Sequence, residues 1–283
     1  MSIEVIDVNY TYNAGTPLEN VVLKNISFTI NTGDFIGIIG HTGSGKSTLM
    51  QMMNSLIVPT KGKIIVDNID INTSKENQRN NRKNVGLVFQ YPEQQLFEMT
   101  VEDDVAFGPK NLGIPKEDIN KYVDEALTLV GIDKYIYKKS PFDLSGGQKR
   151  KVAIAGVLAT KPNILILDEP TAGLDPRSRD DLLGKIKEMH NSLGITIIFV
   201  SHSMEDVSRI ADKILVLNQG DLFLQGTPLE VFKNEEELEK IGLSIPQISK
   251  LIKALRYKGF NINENIFDIK DVATEILKII KEA

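Results

Sequence analysis

Apolar positions along this chain fall into short, almost unbroken runs: Phe35–Ile39 (FIGII), Lys63–Val66, Val85–Phe89, Ile164–Leu167, Thr196–Val200 and Lys213–Leu217. Runs of strand length without a polar face suit a parallel sheet covered on both sides. Between them lie stretches with helical spacing: Ser47–Leu56, Lys116–Val130, Gly146–Ala159 and Ser178–His190. The alternation predicts an α/β core. The polar, basic stretch Asn72–Asn84 (NTSKENQRNNRKN) predicts a solvated loop. From about residue 230 the pattern changes. Ile248, Leu251, Ile252 and Leu255 recur at helix spacing, as do Ile269, Val272, Ile276 and Ile280. Pro246 sits near the start of the first of these helices and Gly259 stops it. Residues 231–283 therefore read as a small helical extension.

Composition narrows the function classes. The chain has 283 residues, 33 Lys+Arg against 38 Asp+Glu, a net charge of −5 and no cysteine. Disulfides, thiol catalysis and cysteine-ligated metals are excluded, and a reducing cytosol fits. The mild negative charge argues against a nucleic-acid partner held through phosphate contacts. The start, MSIEVIDVNYTY, lacks the basic and apolar regions of a signal peptide. No apolar run approaches the ~18–20 residues that span a bilayer. A role at a membrane would require another chain to do the spanning.

The strongest chemical signal is Gly40-His41-Thr42-Gly43-Ser44-Gly45-Lys46-Ser47, which matches G-x-x-x-x-G-K-[ST]. It follows the strand FIGII and opens a helix, the context that gives the pattern its meaning. Glycines let the backbone curl so that successive N–H groups converge on phosphate oxygens. The helix adds its positive end. Lys46 is placed to reach the β- and γ-phosphates and Ser47 to offer a hydroxyl to Mg²⁺; Thr48, next in the helix, joins the nucleotide contacts.

A second signal is the apolar strand that ends in Asp168 and Glu169. A parallel strand delivers side chains at its C-terminal end, beside the phosphate loop. Asp168 is expected to hold Mg²⁺ and Glu169 to orient or deprotonate the attacking water. One carboxylate does both jobs badly, because a metal ligand is a poor base. A third signal is Leu144-Ser145-Gly146-Gly147-Gln148 at the start of another helix. Ser145 and Gln148 fit a capping box, which locally explains the pattern. The same residues also read as a second anion site, and with only one metal-and-base strand available, that site would serve another chain's nucleotide.

This ordered set resembles the ABC-transporter ATPase family over roughly residues 1–230. It comprises the phosphate loop, Gln90, LSGGQ, the Ile164–Glu169 strand, Ala172-Gly173-Leu174-Asp175, and His202 after a strand. The resemblance implies a P-loop NTPase core with a helical subdomain at about 91–162, and ATP and Mg²⁺ as cofactors. It implies that Gln90 contacts Mg²⁺ or the attacking water, that His202 bonds the γ-phosphate, and that Asp175 couples two sites of a dimer. Tyr12 matches the aromatic that stacks on adenine, with Tyr10 as the alternative. Ser145, Gly147 and Gln148 match the motif that closes over nucleotide held by the opposite subunit. His41 and His190 have no partners at metal-ligand spacing.

Narrower wording, YPEQQLFEMTVEDDVAFGPKNLG after Gln90 and DEPTAGLDP after the strand, is similar to the ATPase subunits of energy-coupling factor importers of vitamins and cobalt or nickel. It is closest to the second of their two paralogues. That similarity implies an ATPase that powers uptake of vitamins or transition-metal ions from the cytoplasmic face of the cell membrane. Its partners would be an identical or paralogous ATPase subunit, an integral membrane coupling subunit and a substrate-binding membrane subunit. The alternative is the ATPase subunit of another ABC importer or exporter. A DNA-repair ATPase would need a long coiled coil between its halves, and a translation-type protein two cassettes. The intact Glu169 and His202 argue against a non-catalytic sensor. Leu96, Phe97 and Met99 lie among acids (Glu93, Glu98, Glu102, Asp103 and Asp104). They read either as packing against the protein's own helices or as an apolar groove with an acidic rim for a short membrane-subunit helix.

Overall fold

The computed structural model describes residues 2–282. Along the chain run β1 (Ile3–Tyr12), β2 (Asn20–Ile30), β3 (Phe35–Ile39), α1 (Lys46–Met53), β4 (Lys61–Val66), β5 (Ile69–Asp70), α2 (Lys75–Asn84) and β6 (Val85–Val88). Then come α3 (Val101–Asn111), α4 (Lys116–Leu129), α5 (Gly146–Leu158), β7 (Ile164–Asp168), α6 (Pro176–Leu193), β8 (Thr196–Val200) and α7 (Met204–Ile210). β9 (Lys213–Asn218), β10 (Asp221–Gly226), α8 (Pro228–Lys233), α9 (Glu235–Lys240), α10 (Gln247–Tyr257) and α11 (Ile269–Glu282) complete it.

Two sheets result. The larger has the order β10-β9-β3-β8-β7-β6 and is parallel except for the β10 hairpin edge. The smaller, β2-β1-β4-β5, is antiparallel. The apolar strands alternate between two cores. Phe35, Leu165, Leu167, Ile197 and Phe199 face the helical layer of α3–α6. Ile36, Ile38, Ile164, Ile166 and Ile198 face the other way, toward α1 and the smaller sheet. Period-2 side-chain alternation thus explains why these runs lack a polar face: both faces are covered. Leu49, Met50, Met52 and Met53 bury α1 between the sheets, which fixes the phosphate-loop end of that helix.

Helix starts follow their capping residues. Ser145 and Gln148 form a complete capping box on α5. Asp175 accepts from the Arg177 and Ser178 N–H groups at the start of α6, with Pro176 at the first helical position. The expected loop at Asn72–Asn84 is corrected by α2. Ser74 caps it, and the buried Asn81 donates to the Met53 carbonyl (2.8 Å) and the Ser55 hydroxyl (2.9 Å). The helix is held by polar side-chain bonds, so no apolar stripe marked it.

The C-terminal extension carries helices α8–α11, and α10 and α11 cover the two stretches whose apolar spacing predicts helices. Gly259 has φ +93 and follows α10, so the stop at that glycine is observed. Its apolar pattern is only partly buried: Ile252, Ile262 and Val272 make a small core of their own, while Leu251, Ile269 and Ile280 are exposed.

The acidic rim expected around Leu96–Met99 is corrected. Asp104 is buried, and one carboxylate oxygen accepts from the Phe97 (3.2 Å) and Glu98 (2.9 Å) N–H groups. Glu93 binds Arg150, Glu102 pairs with Lys138, and Asp103 accepts from the Thr100 hydroxyl. Asp104 and Glu93 thus shape the loop from within, while Glu102 and Asp103 stay at the surface in pairs with Lys138 and Lys110.

Burial raises the Asp104 carboxyl above its ordinary range, opposed by its two N–H partners. A carboxyl raised on folding favours the native state below its unfolded value, near ~3.9, and that contribution is lost as pH rises through the folded value. Asp104→Asn keeps an acceptor and removes the charge. Its urea midpoint should exceed the wild-type midpoint at pH 8, and the gain should shrink toward pH 4. An equal gain at both pH values would contradict the assignment.

Candidate functional site

The site is built at the C-terminal ends of β3 and β7. Beyond β3 the chain must turn back sharply into α1. Gly40 lies with φ +153, where a Cβ would collide with the Leu217 carbonyl and the Ser44 hydroxyl. Gly45, the residue before α1, has φ +101 in the left-handed region. Lys46 folds back across the loop and donates to the Gly40 (2.6 Å) and His41 (2.9 Å) carbonyls. The Ser44 hydroxyl is buried with no protein partner, and a Cβ added at Gly43 would meet nothing within 4 Å. An unpaired buried hydroxyl inside an open cradle fits a loop shaped for a phosphate group.

β7 brings its two carboxylates to the same place. The Ser47 hydroxyl lies 3.4 Å from Asp168, at the start of α1. Burial, with Glu169 beside it, pushes the Asp168 carboxyl up to about 6; Lys46 and Ser47 act against the shift. Burial also lowers Lys46, while Glu169 and Asp168 act to raise it. Glu169 leaves the strand with φ +50, a left-handed conformation that costs a non-glycine residue roughly 1–3 kcal/mol. Its N–H donates to the Val200 carbonyl (2.9 Å), which holds the kink. His202, just beyond β8, donates from Nδ1 to the Glu169 carboxylate (2.8 Å). Among the described residues no cluster of three or more His, Cys, Asp or Glu could hold a metal. A Mg²⁺ ion would therefore rest on Ser47, Asp168, Gln90, waters and phosphate oxygens, the sparse protein ligation that Mg²⁺ prefers.

A cavity of about 870 Å³ unites these groups: Tyr12, Lys46, Ser47, Gln90, Asp168, Glu169 and His202 all line it. Gly40, His41, Thr42, Gly43, Gly45 and Thr48 form its floor. The Tyr12 hydroxyl lies 3.4 Å from that of Thr48, and Tyr12 stands edge-on to Tyr10 at 4.7 Å between ring centres. Tyr12 is the exposed member of the pair, and Tyr10 packs against the core. Ser145, Gly147 and Gln148 do not line this cavity.

The comparisons with known proteins agree with this geometry. Residues 23–172 match the family model described as ABC transporter. The chain is 55% identical over 282 residues to an energy-coupling factor transporter ATP-binding protein, EcfA2, of Clostridium perfringens, covering 99% of both chains. It is 55% identical over 281 residues to the EcfA2 of Caldanaerobacter subterraneus, covering 99% of this chain and 98% of that one. The chain belongs to the energy-coupling factor group of ABC transporter ATPases. Among solved structures, cbiO1 of Clostridium perfringens, part of the ABC transporter complex cbiONQ, superposes with a TM-score of 0.76. It is 41% identical, and the match covers 89% of this chain and 98% of that one. A dimeric ATP-binding cassette bound to ADP and Pi, MJ0796, gives a TM-score of 0.70 at 28% identity, covering 80% and 98%.

This energy-coupling factor ATPase also contains residues that the motifs did not point to. Arg150 on α5 is buried, and its guanidinium grips Glu93 with two bonds (3.0 and 2.6 Å). A further nitrogen donates to the Pro170 (3.0 Å) and Ala172 (2.6 Å) carbonyls just beyond Glu169. One side chain thus ties the segment after Gln90 and the turn after Glu169 to the helix that begins at Gly146. Asp206 does similar work at α7. It is buried, accepts from Thr171 (2.8 Å) and Arg179 (2.7 Å), and so anchors the helix that follows His202. The available signal for Arg150 was its register: positions 150, 154 and 158 share the buried face of α5. The third group missed is Gly242, Leu243 and Ser244 of the extension, which line the cavity.

Removing Arg150 strands the Glu93 carboxylate and two carbonyls. Arg150→Met should cost about 3–5 kcal/mol, the usual range for breaking a buried charge pair. Urea unfolding of the purified chain measures it, and a loss below about 1 kcal/mol would show that the network is not structural.

Proposed function

We propose that this ATPase powers the uptake of vitamins or transition-metal ions through a membrane transporter, from the cytoplasmic face, as the second of two paralogous ATPase subunits. Family membership establishes the class of the chain as an ATP-binding ABC transporter subunit. The observation that carries the catalytic reading is the convergence of Lys46, Asp168, Glu169, His202 and Gln90 on one cavity. Residues 1–230 act as the cassette, with a helical subdomain at about 91–162, and residues 231–283 as its extension.

The roles follow from phosphoryl-transfer chemistry, in which positioning and charge stabilisation do most of the work. Tyr12 stacks on the adenine. Backbone N–H groups of residues 43–48 and the Lys46 ammonium neutralise phosphate charge. Ser47, Asp168 and Gln90 hold Mg²⁺, which when bound neutralises charge on the transferred phosphoryl group. Glu169 accepts the proton of the attacking water. His202 donates from Nδ1 to the same carboxylate, and the doubly protonated ring has its Nε2–H left to donate to the γ-phosphate. Ser145, Gly147 and Gln148 lie outside their own chain's cavity, as a motif serving the opposite subunit of a dimer would. Glu169→Gln should keep nucleotide binding and lower hydrolysis at least ~10²-fold in the assembled transporter. Near-wild-type turnover would remove Glu169 from the role of base.

No helix among the described residues is long and apolar enough to cross a membrane, so transport requires membrane subunits. We place their dock at the loop after Gln90. Phe97 (57% exposed) and Met99 (82%) stand out from it, and Phe97 meets Phe107 edge-on at 5.0 Å. Leu96 is buried beneath them. Because Phe97 already faces solvent, Phe97→Asp should fold and bind ATP normally while failing to assemble with the membrane subunits. Normal assembly on co-purification from membranes would put the dock elsewhere.

A further inference from the structure

The cavity has a wall that no nucleotide-binding motif supplies. α9 ends in a tight turn: the Leu243 N–H donates to the Leu238 carbonyl and the Gly242 N–H to the Glu239 carbonyl, both at 2.8 Å. This is the paired 6→1 and 5→2 bonding of a Schellman cap, with Gly242 at φ +73 in the left-handed position. Leu238 and Leu243 are both buried in the main core, which fixes the turn from behind. The cap leaves the Ile241 carbonyl to the outside, where it accepts from Nε2 of His41 in the phosphate loop. A Cβ at Gly242 would lie 3.0 Å from the same nitrogen. The His41 main chain meanwhile accepts from Lys46. Residue 41 therefore touches the phosphate-reading lysine with its backbone and the extension with its ring.

A second pin lies across the cavity. Glu205, on α7 just past His202, lines the cavity and accepts from the Gln247 N–H at 3.4 Å. On the outer side of α7, Arg209 pairs with Asp268 of the extension at 3.2 Å. The extension thus bridges the phosphate loop, through Ile241, and α7, through Gln247 and Asp268. The 870 Å³ that remain lie within the 300–1,000 Å³ usual for ligand sites, so the turn is a wall of the cavity and not a plug.

We propose that the Ile241–Ser244 turn is a binding element of the nucleotide site, with His41 as the positioning residue that holds it against the phosphate loop. ATP and the turn stabilise each other: nucleotide tightens the extension, and the seated extension tightens nucleotide. The reciprocity is a thermodynamic requirement: whatever nucleotide adds to the seated turn, the seated turn adds to nucleotide binding. This rests on the reading of the cavity as the ATP site.

The test is amide hydrogen exchange on the full-length Glu169→Gln chain, with and without ATP. ATP should slow exchange at Gly242–Ile245 and Gln247 at least ~3-fold, alongside the amides of residues 43–48. Gly242→Ala changes no phosphate-loop residue; its Cβ crowds Nε2 of His41 at 3.0 Å and strains the left-handed turn. It should weaken ATP binding several-fold and abolish the added protection of the turn. With His41→Ala already present, Gly242→Ala should weaken binding further by much less, because the two act through one contact. Protection at 43–48 with no change at 242–247, or wild-type ATP affinity in Gly242→Ala, would make the turn a bystander and overturn the proposal alone. Absence of protection at 43–48 would overturn both this proposal and the ATP reading beneath it.

Discussion

Two neighbouring carboxylates, Asp168 and Glu169, share a half-buried cleft with a single lysine, and the rest of the molecule is arranged to make that tolerable. Burial, with Glu169 beside it, pushes Asp168 up to about 6, and burial lowers Lys46. Groups this uncomfortable are kept where a cationic and anionic ligand together would satisfy them. The parallel sheet delivers both carboxylates at the end of β7, and the chain turns at Glu169 in a left-handed conformation. The glycines of the phosphate loop let Lys46 lie across from them. Strain and desolvation are stored at one place, and two buried cores on either side of the sheet hold it there.

From that centre, polar side chains carry the constraint outward. Arg150 connects the turn after Glu169 with the segment after Gln90, so the proposed membrane dock and that turn share one guanidinium. Asp206 and Arg179 fix the helix behind His202. On the far side the extension reaches the phosphate loop through His41. The proposed dock, α7 and the phosphate loop are thereby each linked by directional bonds, the first two through the buried Arg150 and Asp206 and the third through the exposed His41 ring. Apolar packing alone would allow sliding; hydrogen-bonded charges in a low-dielectric setting have few alternative arrangements.

Much of this was legible in the residues. The apolar runs marked β3 and β8 at their observed ends, because a strand covered on both faces has no choice of composition. The phosphate loop and the Asp168–Glu169 pair were legible because each needs a fixed spacing at the end of a strand. α2 was not, since its stability comes from Ser74 and Asn81 and not from an apolar stripe. The acids after Gln90 looked like a charged rim because a sequence does not reveal which carboxylates turn inward to backbone N–H groups. The contact between His41 and Ile241 joins positions 200 apart, and no local pattern predicts it.

In the function proposed above, the cleft takes nucleotide and Mg²⁺ together, each satisfying charge that the other leaves exposed. Thermal unfolding of the Glu169→Gln chain with Mg²⁺ alone, ATP with a chelator, and both together tests it most directly. Mg²⁺ alone should give almost no shift, since Ser47, Asp168 and Gln90 are too few ligands without phosphate oxygens. ATP alone should raise the midpoint modestly. The two together at about 100 times the dissociation constant should add about 2.7 kcal/mol, a rise on the order of 5 °C or more. A full shift with ATP in chelator, unchanged by added Mg²⁺, would contradict it.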